Sequence, residues 1–129
     1  MFKPHGYPSV SPYLICQDAE SLIGFIGQVF GGTVQRRFDR PDGNLMHAEV
    51  RIDDSIVMVG GGATETTAAP AHIHVYVEDA EAAFDRAIAA GADRIREPAQ
   101  ADGDDDLRGG VRDPWSGVTW WIATQRTRR

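Results

Sequence analysis

The sequence predicts an α+β domain made of two tandem βαβββ modules, whose curved mixed sheets carry helices on the convex face. Three observations predict it. The stretch AHIHVYVEDAEAAFDRAIAAG, 71–91, reads as strand, tight entry and helix. The stretch SVSPYLICQDAESLIGFIGQVFGG, 9–32, repeats that plan, with Asp18-Ala19-Glu20 matching Asp79-Ala80-Glu81. Each unit is followed by three short alternating runs separated by turn residues. A repeat of this length governs the fold.

Within the second unit, His72, His74 and Tyr76 alternate with Ile73, Val75 and Val77, the period of a strand with two unlike faces. Asp79 stands where a carboxylate accepts from the first free N–H groups of a helix, and Glu81 adds charge favourable to that end. Ala80, Ala83, Phe84, Ala87 and Ile88 form the apolar stripe, and Gly91 ends it. In the first unit Ser11, Tyr13 and Ile15 take the places of His72, His74 and Tyr76. Leu22, Ile23, Phe25, Ile26 and Val29 supply the stripe, and Gly31-Gly32 the stop.

The remaining elements follow in order. Residues 1–8 hold two prolines and a glycine and read as an extended arm suited to reaching a partner subunit. Strand 10–16 leads into helix 18–30, in which Gly24 and Gly27 each cost roughly 1 kcal/mol against Ala and are explained as sites of close packing. Strand 33–40 turns at Arg40-Pro41-Asp42-Gly43-Asn44 into strand 45–52, with Met46, Ala48, Val50 and Ile52 on one face and His47, Glu49 and Arg51 on the other. Asp53-Asp54 turns the chain into strand 55–59. Residues 60–70 are a linker; its glycines lack the Lys and helix of a phosphate loop. Strand 93–97 ends at Pro98, and the acid-rich 99–106 forms a solvated loop without the Glu spacing of a calcium loop. Strand 107–112, the turn Asp113 to Gly117 and strand 118–124 complete the second module.

Composition narrows the function classes. The chain has 129 residues, 42% hydrophobic and 25% charged, enough for one domain with its own core. Its formal charge of −6 disfavours a nucleic-acid partner. Arg126, Arg128 and Arg129 make a short basic tail expected to fray. The single cysteine, Cys16, forbids an intrachain disulfide and reads as core. No apolar run reaches the ~20 residues of a membrane span, and the first residues lack the apolar segment of a signal peptide. The expectation is a cytoplasmic protein without membrane or nucleic-acid partners.

The segments SPYLICQDAESLIGFIGQVFGG, PDGNLMHAEVRIDDSIVM, HIHVYVEDAEAAFDRAIAAGA and GGVRDPWSGVTWWIAT span most of the chain. Together they resemble the vicinal oxygen chelate (VOC) superfamily, in its glyoxalase/bleomycin-resistance-like (PhnB-like) branch. The resemblance implies a homodimer, with cavities often shared between modules of different subunits. It also implies four metal-ligand places on the concave face, on the first and fourth strands of each module. Carried over by motif, these are Ser11, Met58, His72 and Trp121. Only His72 suits a divalent ion, so the tetrad is broken and no metal cofactor is expected. An off-pattern site among His47, Glu49, His72 and His74 is the alternative.

Alternation assigns a cavity wall of Ser11, Tyr13, Ile15, His47, Glu49, Ile56, Met58, His72, His74, Tyr76, Thr119 and Trp121, with Phe38 and Trp115 at the rim. Trp120 should face the helices, and Asp113 and Pro114 should be turn residues. The candidate ligand-binding residues are Tyr13, His47, Glu49, Met58, His72, His74, Tyr76, Trp115 and Trp121. Aromatic and apolar groups with a few polar ones suit a flat small molecule. The function expected is metal-independent binding or sequestration of such a molecule, with Trp121 and Tyr13 as stacking anchors. A His47/Glu49 pair can move protons, but no nucleophile or oxyanion donor accompanies it in the sequence. The rival functions are a divalent-metal lyase, isomerase or dioxygenase built around His72, and a dimeric scaffold whose cavity is filled by its own side chains.

Overall fold

The structure, a computed structural model, describes residues 3–62 and 71–126. Most of the linker and the last residues of the basic tail lie outside the described residues. Strands β1 (Tyr13–Ile15), β2 (Thr33–Asp39), β3 (Leu45–Ile52) and β4 (Ser55–Gly60) surround helix α1 (Ala19–Phe30) in sequence. Strands β5 (His72–Tyr76), β6 (Asp93–Ala99), β7 (Asp106–Arg112) and β8 (Thr119–Gln125) likewise surround α2 (Ala80–Ala89). Two four-stranded sheets result, with orders β1-β4-β3-β2 and β5-β8-β7-β6. In each, the first and fourth strands pair parallel and the rest antiparallel. The expected pair of βαβββ modules with mixed sheets is therefore the observed fold.

Local chemistry sets the helix ends. The Asp18 carboxylate accepts from Ser21 N at 3.1 Å and from Ser21 Oγ at 2.7 Å. The Ser21 hydroxyl, foremost, holds the Asp18 carboxyl below its ordinary range. Asp79 accepts from Ala82 N at 3.1 Å. Helix α1 closes on Gly31 at φ 69°, and its N–H donates to Gly27 O. Gly32 is required for a second reason: a Cβ there would lie 2.6 Å from Ile26 Cγ2 and 2.9 Å from Val50 Cγ1.

Both helices pack on the same side of the sheets, and one apolar cluster runs through both modules. Its centre is aromatic. Trp120 is fully buried against Phe25 and Phe30, with ring centroids 6.0 and 5.3 Å away. Its indole N–H donates to buried Asp113 Oδ2 at 2.7 Å, and Ser116 N and Oγ donate to the same carboxylate. Arg86 of α2 donates to Val29 O at the end of α1. Cys16 is buried in this core, and burial foremost pushes its thiol up to about 11, as a packing role requires.

Several expectations are corrected. Strand β6 does not stop at Pro98 but runs to Ala99. It is an edge strand with irregular pairing after Arg96, where a missing N–H is tolerated. Leu45, not Met46, is buried at the start of β3, because the β2–β3 register shifts there. The acid-rich loop is not merely solvated, since Asp106 is fully buried. The close-packing account of Gly24 fails: a Cβ there would meet nothing within 4 Å. Beyond those expectations, the arm is anchored on its own chain, where Arg51 donates to Gly6 O at 2.8 Å. No helix among the described residues is long and apolar enough to cross a membrane.

The open space at Gly24 makes Gly24→Ala a stabilising change. Urea unfolding is expected to show a gain of about 0.5–1 kcal/mol, the helix-propensity difference.

Candidate functional site: two open sheet faces

The faces of the sheets turned away from the helices carry the candidate residues, and register makes the two faces comparable position by position. On the first sheet, Tyr13 lies beside Met58, which lies beside Glu49, while Gly60 lies beside His47. On the second, His74 lies beside Trp121, which lies beside Gly110, while Ala123 lies beside Arg108. Tyr13, Met58, Glu49 and His47 therefore correspond to His74, Trp121, Gly110 and Arg108. The backbone plan is shared and the chemistry is not.

The first face holds a hydrogen-bonded polar chain. Tyr7 of the arm donates to Glu49 Oε1. Glu49 Oε2 and His47 Nε2 are 3.0 Å apart, and His47 Nδ1 lies 3.3 Å from the Tyr13 hydroxyl. In the tautomer whose Nε2–H donates to the carboxylate, Nδ1 accepts the hydrogen bond of the Tyr13 hydroxyl. Tyr13 also stacks on His47, with centroids 5.5 Å apart. Its ring reaches across β4 because position 60 is glycine: a Cβ there would meet Tyr13 Oη at 3.0 Å. Phe38 lies at the rim, its ring 6.2 Å from His47, with Arg36 Cζ 4.9 Å from the Phe38 centroid. Glu49 is only 8% exposed. That burial, the largest influence, pushes its carboxyl up. Hydrogen bonds from Tyr7 and His47, with the nearby His47 and Arg36 charges, together outweigh it and hold the group below its ordinary value.

The second face is flatter and more aromatic. The Trp121 indole N–H donates to His72 Nδ1 at 3.0 Å, and the two rings are within 12° of parallel. Trp121 lies across Gly110, where a Cβ would sit 2.6 Å from the indole. Arg108 donates from Nε to His74 Nε2 at 3.2 Å and from its other nitrogens to Asp104 and Asp106. The Asp106 N–H foremost, with the Arg108 guanidinium, keeps the Asp104 carboxyl low. Tyr76 donates to Asp106 Oδ2 at 2.7 Å and packs edge-on against His74.

The candidate residues thus form two groups. Tyr13, His47, Glu49 and Met58 share the first sheet. His72, His74, Tyr76 and Trp121 share the second. Trp115 belongs to neither: it packs against Phe25 in the helix layer, with centroids 5.4 Å apart. Ile56, expected on the wall, is fully buried. Trp120 faces the helices as expected. Arg108, Tyr7, Gly60 and Gly110 escaped the sequence reading. Alternation along β7 puts residues 108 and 110 on one face, so Arg108 and Gly110 were within reach of it. Tyr7 carried no such signal.

At the four places carried over from the metal enzymes stand a hydroxyl, a thioether, an imidazole already bonded to an indole, and that indole. This donor set does not fit a divalent ion. Among the described residues no three His, Cys, Asp or Glu side chains are gathered as a metal requires.

Comparison with known proteins gives a consistent placement. Residues 12–121 match the family model of the glyoxalase-like domain. An uncharacterized protein of Mycobacterium bovis is 38% identical over 96 residues, covering 66% of this chain and 63% of that protein. One from Mycobacterium tuberculosis is equally similar, with 56% of its length covered. The chain therefore spans under two thirds of these relatives. Among solved structures, TioX from Micromonospora sp. ML1 superposes with TM-score 0.72 at 23% identity, covering 91% of this chain and 99% of that one. The fosfomycin resistance protein FosX from Listeria monocytogenes, complexed with Mn(II) and sulfate, gives 0.71 at 12% identity, covering 92% and 90%. At these identities the likeness establishes the shared fold.

Because Glu49 has a lowered carboxyl, its stabilising contribution is complete above the unfolded value of about 4.3 and is lost as pH falls through its folded value. Unfolding free energy measured from pH 6 downward should fall more steeply for wild type than for Glu49→Gln. Parallel curves would show that the Tyr7–Glu49–His47 bonds contribute nothing.

Proposed function

The chain belongs to the glyoxalase-like family of the VOC superfamily, and on that premise we propose that it binds a hydrophobic, aromatic small molecule on its open sheet faces without a metal ion. The observation that carries this reading is the state of the four metal-ligand places. Met58 and Trp121 offer an adaptable apolar contact and a flat stacking surface where the metal enzymes of the superfamily need donors. Glycine at position 110 leaves the space in which the indole lies flat. The role is of the sequestering kind that includes antibiotic resistance, exercised in the cytoplasm.

A second copy of the chain completes the site in this reading. Large apolar side chains remain open on these faces, with Tyr13 at 48% and Tyr76 at 55% exposure. A homodimer would cover them and turn two open faces into an enclosed cavity. Sedimentation is expected to give twice the chain mass. A monomer at micromolar concentration would count against the shared cavity.

The direct test is quenching of tryptophan emission by a panel of aromatic compounds. Saturable quenching in wild type that is lost in Trp121→Leu supports the reading, because Trp120 is fully buried and Trp115 packs on Phe25 away from the open faces. No saturable binding across the panel would overturn it and favour a scaffold filled by its own side chains.

A second reading, a metal-dependent VOC enzyme centred on His72, draws support from the Mn(II) complex of FosX, which shares the fold. Elemental analysis and thermal shift with Zn, Mn, Ni and Fe separate the two. Stoichiometric metal that stabilises wild type but not His72→Ala would establish the enzyme and displace the metal-free binder. On the metal-free reading none of the four ions raises the melting temperature.

A further inference from the structure

The arm and the first sheet line an open groove of about 520 Å³, within the size range of small-molecule sites. The arm is fastened over the sheet at adjacent residues, by the Arg51–Gly6 and Tyr7–Glu49 hydrogen bonds. Met58 and the Tyr13 ring supply apolar and aromatic wall, and Lys3 and Arg36 stand among the lining residues.

The charge of this lining runs against that of the chain. The chain carries −6, yet the groove is lined by two cationic side chains and one carboxylate, Glu49. Both oxygens of that carboxylate are engaged, one by Tyr7 and the other by His47. Arg36 pairs in register with Glu49 across β2 and β3. It lies over Phe38, so its planar fork is held at the mouth beside aromatic surface. The Lys3 ammonium donates to Ser9 Oγ at 2.9 Å, which keeps it on the arm's side of the space.

We propose that the space under the arm is a binding site for an aromatic anion of the aryl carboxylate class. Its ring lies against Tyr13 and Met58, and its carboxylate is met by Arg36. The inference rests on the binding reading above and adds the charge of the ligand and the sheet that holds it. The arm thereby becomes part of the site.

Isothermal titration with 2-naphthoate and its neutral counterpart 2-naphthalenemethanol tests it. Wild type is expected to bind naphthoate about tenfold or more tightly than the alcohol, the scale of one charge-assisted contact. Arg36→Gln should bring the two within about twofold of each other, and Arg36→Lys should restore part of the preference. Added salt should weaken naphthoate alone. Far-UV circular dichroism and melting temperature confirm that each variant is folded. Equal affinities in wild type, or a preference that survives Arg36→Gln, would overturn the anion site while leaving the aromatic-binding reading intact. If neither probe binds at millimolar concentration, the anion site is overturned, and the panel of aromatic compounds decides the aromatic-binding reading separately.

Discussion

The structure depends on one buried contact, the Trp120 indole set between the two modules and hydrogen-bonded to Asp113. A large side chain in a core contributes heavily through its apolar area, but its N–H needs a partner there. Asp113 supplies it. Ser116, in the same turn, satisfies the rest of that carboxylate through its amide and hydroxyl. The DPWSG turn is thus both a chain reversal and the fitting that holds the central aromatic group. Phe25 and Phe30 from the first module close on Trp120, so the helices of both halves share a side. The opposite faces of both sheets are left open as a consequence.

Those open faces show what a duplicated backbone does when its sequences diverge. Equivalent positions carry Glu49 and Gly110, His47 and Arg108, Met58 and Trp121. One exchange explains much of the difference. Where the first sheet has Glu49, it builds a carboxylate–imidazole–phenol chain closed by Tyr7. Where the second has glycine, Trp121 lies flat over the vacated space and stacks with His72. Cationic Arg108 on this second face is held by Asp104 and Asp106, whereas Arg36 on the first stands near a carboxylate already engaged by other donors. The sheets are therefore unlike in polarity and in charge, although they share strand order and register.

The element order was legible because each signal is local. Alternation, the Asp caps and the glycine stops act within a few residues, and the repeat multiplied their weight. Alternation also sorted Tyr13, His47, Glu49 and Met58, and His72, His74, Tyr76 and Trp121, onto the open faces. It failed where pairing shifts register, as at Leu45 and Met46. It failed too at a turn residue, where strand alternation does not apply: Trp115 packs on Phe25 in the helix layer and not at the rim.

The sequence by itself determined the two βαβββ modules, the helix ends and the inward Trp120. Each follows from residue type and short-range periodicity. Only the tertiary structure decided that the arm lies over its own sheet through Tyr7 and Glu49, residues 42 positions apart. Only it decided that Asp104 and Asp106 grip Arg108, and that glycines 60 and 110 make way for Tyr13 and Trp121. These depend on which strands become neighbours and at what register. Local pattern carries no information on such contacts, because their partners meet only after the sheets have formed.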